Sequence, residues 1–146
     1  MIKTNIPFVT SQITAYQVKL AHSVKAARDE MSLTLTTIIK NEIKSKRAYT
    51  GRGASKKYEK VENGAPPHKR TGTLFRAIKG RKWNKGTEVY GARVGVARNK
   101  GAYYGVILES GAVNGSWRHA FIAPAFREFE PLVNPIVAKH IGRVVP

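Results

Sequence analysis

The 146-residue sequence lacks cysteine altogether and has only nine acidic residues against 26 lysines and arginines. Without cysteine, a disulfide framework and a thiolate metal site are excluded, and a reducing compartment such as the cytoplasm is expected. The shortage of acidic residues leaves a formal net charge of +17, so we expect a polyanionic or acidic partner. No run of about 18 apolar residues could span a membrane, and the first ten residues lack the pattern of a secretory signal. These absences predict a soluble protein.

Signatures of catalysis and metal binding are also missing. No two of the four histidines are three or four residues apart, so no helix face can present a metal pair; they are His22, His68, His119 and His140. No G-x-S-x-G elbow, phosphate cradle or dinucleotide-binding turn occurs. Glu59 and Glu62 are close together, but no apolar neighbours could shift their pKa values. We therefore expect a protein that is not an enzyme and holds no cofactor or metal.

The first 46 residues contain one proline and no glycine, and they carry the longest periodic pattern in the chain. Apolar residues recur at steps of three and four, which places them on one face of a helix: Val9, Ile13, Tyr16, Leu20, Val24, Ala27, Met31, Leu35 and Ile38. The predicted helix begins near Asn5 and Pro7 and fades near Lys46. A helix of roughly 60 Å is longer than a small domain is wide. Either it breaks in the threonine-rich stretch 32–37, or its overhanging end packs on another subunit.

Residues 47–82 form a basic segment with eleven lysines or arginines and two glutamates. Few aliphatic residues precede Leu74, so we expect a mobile basic loop at about 47–70, most clearly from Thr50 to Gly64. The loop could be merely solvated, could bind nucleic acid with Tyr49 and Tyr58 stacking on bases, or could dock on an acidic protein surface. Charge alone does not separate the last two alternatives. The candidate docking cations are Arg47, Arg52, Lys56, Lys57 and Lys60.

After the loop, Thr71 is predicted to cap a helix of about two turns that Leu74 and Ile78 anchor and Gly80 ends. The stretch 87–97 alternates in the manner of a strand. Its glycines share one face, which predicts that something, most simply a helix backbone, approaches closely there.

Residues 102–111 fit a short helix or strand, and residues 119–124 a short strand. From Ala125 onward the pattern is helical, and Pro131 with Pro135 must kink or restart that helix. We predict a single domain spanning residues 1–146 with an α+β fold, in which a long N-terminal helix packs on a small, mostly antiparallel β-sheet beside a short middle helix and a C-terminal helix.

Four motifs, in this order, resemble one family. They are PPHKRTGTLFRAI at 66–78, the alternating strand around Val94, Gly95 and Val96, YYGVILESG at 103–111, and RHAFIAPAF at 118–126. They resemble the phage tail-component family, which comprises small neck, tail-completion and head–tail joining proteins of long-tailed double-stranded DNA bacteriophages and prophages. The sequence departs from the family pattern at His119-Ala120 and at the two prolines of the last helix.

The resemblance implies a structural virion protein made in the host cytoplasm. It implies a homo-oligomeric ring, taken as hexameric to match a tail tube, between a connector or stopper protein and the tail-tube or tail-terminator proteins. Contact with DNA in the channel stays open, and a basic nucleic-acid-binding protein, architectural or ribosome-associated, is the alternative function.

The same resemblance suggests which residues contact other chains and which are structural. A rigid basic arm would reach another chain through Pro66, Pro67, His68, Lys69 and Arg70, with Trp117 and Arg118 as further interface candidates. Glu109 either caps a turn or pairs with Arg118. The remaining motif residues are expected to be structural: Thr71, Gly72, Leu74, Ile78, Tyr104, Gly111, Phe121 and Pro124.

Overall fold

The fold was examined in a computed structural model, which describes residues 6–43, 49–50, 57–58, 72–86, 89–97, 102–110, 119–142 and 144. The elements in chain order are helix α1 (Ile6–Glu42), strands β1 (Tyr49–Thr50) and β2 (Lys57–Tyr58), helix α2 (Thr73–Ala77), strands β3 (Ile78–Lys85) and β4 (Val89–Val96), and helices α3 (Ala102–Ser110), α4 (Ile122–Phe129) and α5 (Val133–Ile141). A 3-10 turn, Glu130–Leu132, joins α4 to α5. This is the α+β fold expected from the sequence.

Helix α1 runs without a break through residues 32–37, so of the two alternatives that its length left open, the structure contradicts the break. Two threonine hydroxyls donate to the carbonyl four residues earlier, Thr36 to Ser32 at 2.7 Å and Thr37 to Leu33 at 2.9 Å. Each of these hydroxyls finds its acceptor within the same helix, a hydrogen bond that is compatible with a continuous helix. At 37 residues the helix is about 55 Å long.

The C-terminal half of α1 lies in the middle of the core. The β3–β4 hairpin packs on it from one direction and α4 with α5 from another. The buried apolar residues come from all of these elements and from α3: Leu35, Ile38, Ile39, Ile43, Ile78, Leu108, Phe121, Ala125, Phe129 and Ile136. Phe121, Ile39 and Ile78 have the largest fully buried side chains, so the core centres where α1 meets the start of β3 and of α4.

Two predictions for the middle of the chain are wrong. Helix α2 covers only Thr73–Ala77, and its N-cap is Gly72, at φ 75°, rather than Thr71, which lies outside the described residues. Ile78 begins strand β3, so Gly80 does not end a helix. A Cβ on Gly80 would lie 2.5 Å from Oγ of Ser32 in α1. The helix and the hairpin therefore approach closely at Gly80, and a side chain there would push them apart.

Strand β4 confirms the alternation in 87–97, but its glycines do not meet a helix. Gly91 lies under the Trp83 side chain of the neighbouring strand, and no atom of the described residues lies within 4 Å of a Cβ placed on Gly95. Residues 119–124 are not a strand: 119–121 have no regular structure, and Pro124 lies in the first turn of α4. Residues 102–110 are helical, and Pro131 and Pro135 do divide the last helix in two. Within the basic loop, β1 and β2 pair antiparallel over two residues each, a pairing that was not predicted.

Candidate functional site

The first half of α1 is an uncovered surface. No side chain from Thr10 to Ala26 is buried, and every one from Thr10 to Lys19 is exposed. The predicted apolar stripe nevertheless continues through it, with Ile13 53% and Tyr16 41% exposed. We call this segment, residues 10–26, the uncovered half of α1. Burial of large apolar side chains favours association, so this segment is a candidate contact with another chain.

An apolar groove of about 500 Å³ lies between α1, strand β4 and the C-terminal helices. Its apolar lining comprises Val24, Ala27, Met31 and Leu35 of α1, Tyr90, Ala92 and Val94 of β4, and Phe126, Phe129, Val137 and Ile141 of α4 and α5. Phe126 is 56% exposed at this groove and meets Phe129 edge to face, with ring centroids 6.4 Å apart. An exposed aromatic ring beside a concave apolar surface is typical of an interaction site.

The β3–β4 hairpin has two faces of different character because side chains alternate along each strand. Arg28 of α1, which is 6% exposed, binds the inner face of the hairpin. The Arg28 guanidinium donates to the Trp83 carbonyl at 3.2 Å and to the Asn84 amide oxygen, and it lies 5.7 Å from the Tyr90 ring centroid. Arg28 therefore has a structural role in joining the helix to the hairpin.

Asp29 forms ion pairs with the two cations at the inner face, Arg28 and Lys82. Its carboxylate lies 2.7 Å from Nη2 of Arg28 and 3.1 Å from Nζ of Lys82. Burial raises the pKa of Asp29, but the hydrogen bonds from Arg28 and Lys82 outweigh it, so the pKa lies below its usual value. The carboxylate stays ionised at neutral pH, and the two inner cations share a partner.

The cations on the outer face of the hairpin have no acidic partner among the described residues. We call this face the outer basic face; register and alternation place on it Lys79, Arg81, Trp83 and Lys85 of β3 and Val89, Gly91, Arg93 and Gly95 of β4. All four cations are exposed, and none forms an ion pair with any residue that the structure describes. Arg81 and Arg93 are directly opposite each other across the strands, an arrangement that destabilises a sheet when nothing neutralises it.

Trp83 occupies the middle of the outer basic face. It is 48% exposed, and its cross-strand partner is Gly91. A Cβ on Gly91 would overlap the six-membered ring of the indole, so the ring rests on the bare backbone of that glycine. One face of the ring is covered in this way, and the other is turned toward solvent.

Glu109 is a capping residue. Its carboxylate accepts hydrogen bonds from the backbone N–H groups of Phe121 and Ile122, at 2.8 and 2.9 Å, and of Ala123 at 2.9 Å. These N–H groups stand at the start of α4, where a helix has no internal partner for its first donors. Of the two roles predicted for Glu109, capping is therefore observed. The motifs at 103–111 and 118–126 act here as one structural unit.

The other predicted structural residues fall partly within the described chain. Gly72 caps α2, Leu74 packs against the core, and Ile78 and Phe121 are buried in it. Tyr104 lies in α3 and Pro124 in α4. Thr71 and Gly111 lie outside the described residues.

Most predicted interface residues also lie outside the described residues. This holds for Arg47, Arg52, Lys56, Lys60, Pro66, Pro67, His68, Lys69, Arg70, Trp117 and Arg118. Lys57 is placed in β2, paired with Thr50, although only its backbone is described. The basic loop and the Pro-Pro arm therefore stay predictions. The predicted mobility of Thr50 to Gly64 falls almost wholly in the same undescribed part.

The outer basic face was missed by the sequence reasoning, although a signal for it was present. The segment KGRKWNK at 79–85 places Lys79, Arg81, Trp83 and Lys85 at alternate positions, which lie on one face if the segment is a strand. Gly80 was interpreted as the end of a helix, which hid that alternation. The Arg28 and Glu30 contacts were also missed, because their partners are more than 50 residues away in the sequence.

Metal-binding clusters and membrane-spanning helices are both absent from the part of the chain that the structure describes. No group of three or more histidine, aspartate or glutamate side chains there is placed to hold a metal ion. Of the helices described, α1 is long enough to cross a bilayer but too polar, and none of the others meets both requirements.

No family model, curated protein or solved structure matches the chain.

Proposed function

We propose that this chain is a structural protein of the phage neck, a ring-forming tail-completion or head–tail joining subunit between the connector and the tail tube. The proposal combines the resemblance of residues 66–126 to the phage tail-component family with one observation, the uncovered half of α1. A subunit whose longest helix leaves Ile13 and Tyr16 of its apolar stripe exposed, and buries no described stripe residue before Ala27, is suited to completion by another chain. It would be made in the host cytoplasm and would function in the virion.

The contact that would build the ring is head to tail. The chain has an exposed apolar segment, represented by Ile13 and Tyr16, and an apolar groove beside Phe126 that shares only Val24 with that segment. When two complementary surfaces lie at different places on one chain, each copy can bind the next, and such contacts form a ring if the rotation closes. We assign the uncovered half of α1 to the groove of the neighbouring copy.

The basic loop at 47–70 is proposed to dock on an acidic surface of the connector or tail tube. We favour protein over channel DNA for this loop because a strongly cationic lumen would hold DNA rather than let it slide. The alternative function, a nucleic-acid-binding protein, is favoured by a different feature, the outer basic face, which is not part of that loop.

Genome context and virion assembly test the proposal. We expect the gene to lie beside genes for a portal, a major capsid protein and a tail tube. In a phage lacking the chain, filled heads and separate tails should accumulate in electron micrographs, and the wild-type chain should restore joined particles.

A double variant, Ile13→Asp with Tyr16→Asp, should fail to restore joining because it places charge in the proposed contact. The matched control is Leu33→Asp, on the same helix, where the leucine is 68% exposed but lies off the stripe. Normal joining without the chain would contradict the proposed function. Normal joining by the double variant would contradict the role of α1 alone.

A further inference from the structure

We propose that the outer basic face binds single-stranded nucleic acid, with Trp83 stacking on a base and Lys79, Arg81, Lys85 and Arg93 holding the flanking phosphates. This activity is separate from the assembly role, which rests on α1 and the groove. Either proposal can fail while the other stands.

The first argument is charge. Four exposed cations share one face of a two-stranded ribbon, and Asp29 pairs with Arg28 and Lys82 on the opposite face. Placing Arg81 directly opposite Arg93 costs free energy in the isolated chain. An anion between the two guanidinium groups would remove that repulsion, and Arg is well suited to phosphate because its planar fork donates two parallel hydrogen bonds.

The second argument is the position of Trp83 among those cations. Lys79 and Arg81 precede it on the same face of β3, and Lys85 follows it. Its ring lies on Gly91 and is 48% exposed, so one π face is supported and the other is accessible. A supported ring with cations on both sides is the combination that proteins use to bind single strands, where bases stack on aromatic side chains and cations follow the backbone.

The geometry favours a single strand over a duplex and over an acidic peptide. The row from Lys79 to Lys85 spans about 20 Å at about 3.3 Å per residue, enough for a few nucleotides. In a duplex the base faces are already covered by stacking, so a ring lying flat on the hairpin could not reach them. An acidic peptide could neutralise the cations, but it would leave the exposed indole face without a partner.

The test is fluorescence anisotropy with labelled oligo-dT and oligo-U of about 20 nucleotides, measured between about 50 and 200 mM salt. Both strands should bind, because base faces and phosphates are common to DNA and RNA. Four phosphate contacts predict a slope of log affinity against log salt of about −2.8. Trp83→Ala should weaken binding about 5- to 150-fold, the range measured for loss of one stacked base, and Trp83→Phe should restore most of it.

Two double variants separate a defined site from diffuse charge. Arg81→Ala with Arg93→Ala should make the salt slope less steep by about 1.4, since two phosphate contacts are lost. Arg76→Ala with Arg127→Ala removes the same charge from exposed positions on α2 and α4, outside both the outer basic face and the uncovered half of α1, and should leave slope and affinity nearly unchanged. Equal losses in the two variants would overturn the proposal.

If a variant of the outer basic face fails to fold, the fluorescence of Trp83 itself still tests the proposal. Trp83 and Trp117 are the only tryptophans, so in a Trp117→Phe chain the fluorescence reports Trp83 alone. Oligo-dT should quench it, whereas poly-L-glutamate at equal charge should not. Unchanged fluorescence on oligo-dT binding, or equally tight binding of polyglutamate, would contradict stacking on Trp83.

Discussion

The two halves of α1 carry the same apolar stripe and differ in what covers it. In the C-terminal half, Ile38 and Ile39 are 6% and 1% exposed under the hairpin and the last helices; in the N-terminal half, Ile13 is 53% exposed. The period of a helix therefore shows which face is apolar, but not whether the same chain covers it. One half holds the fold together, and the other is available to a partner.

The largest expected effect compares two identical substitutions in this one helix. Ile39→Ala removes a fully buried side chain and should lower the free energy of unfolding by about 2–5 kcal/mol. Ile13→Ala should change it by no more than about 0.5 kcal/mol in dilute monomeric protein. Urea unfolding measures both. A comparable loss for Ile13→Ala at the lowest protein concentrations would show that the first half of α1 is covered within its own chain.

The next effect concerns α4, which helps to cover the C-terminal half. Glu109→Ala leaves three backbone donors of residues 121–123 without their carboxylate, so we expect a loss of about 1–3 kcal/mol in unfolding free energy. Glu109→Gln should lose less, because one acceptor oxygen remains. The control, Glu128→Gln, removes an exposed charge near the other end of α4 and should be neutral or slightly stabilising. Equal effects of the Glu109 and Glu128 variants would contradict the capping role.

The elements that could be predicted are those set by local pattern. Helix α1 follows from its period, β4 from its alternation, and the division of the last helix from Pro131 and Pro135. The elements that were predicted wrongly are those whose structure depends on residues far away in the sequence. Strand β3 has few apolar residues and forms by pairing with β4, and the start of α4 depends on Glu109, which lies twelve residues or more before the groups that it caps.

The same distinction between local pattern and distant pairing applies to the two candidate surfaces, the uncovered half of α1 and the outer basic face. The length of α1 indicated that the helix either breaks or extends beyond the domain, since one face of so long a helix could not all be covered by a small domain. The outer basic face could not be located without β3, because only the register with β4 brings Arg81 opposite Arg93 and sets Trp83 on Gly91. Local sequence thus indicates which residues are charged, and the pairing of strands determines which charges share a surface.

The smallest effect lies at Glu30, near the boundary between the two halves of α1. Its carboxylate lies 2.9 Å from Nζ of Lys139 and 2.6 Å from Nε2 of His140, both in α5. The hydrogen bonds from Lys139 and then His140 lower the pKa of Glu30 below its ordinary value of 4.5. A lowered pKa in the folded state means that the contribution to stability is fully present above pH 4.5 and is lost as the pH falls through the folded-state pKa.

Glu30→Gln should therefore lower the unfolding temperature at neutral pH by a few degrees at most, because the contact is largely exposed and screened by salt. The difference from the wild-type chain should shrink as the pH falls below 4.5 and should be smaller in high salt at neutral pH. The control is Glu130→Gln, which removes an exposed carboxylate that pairs with no described cation. Thermal unfolding followed by circular dichroism measures both variants across this pH range. A difference between wild type and Glu30→Gln that grows on acidification would have the wrong sign for an ionised Glu30, and it would contradict the stabilising contact with Lys139 and His140.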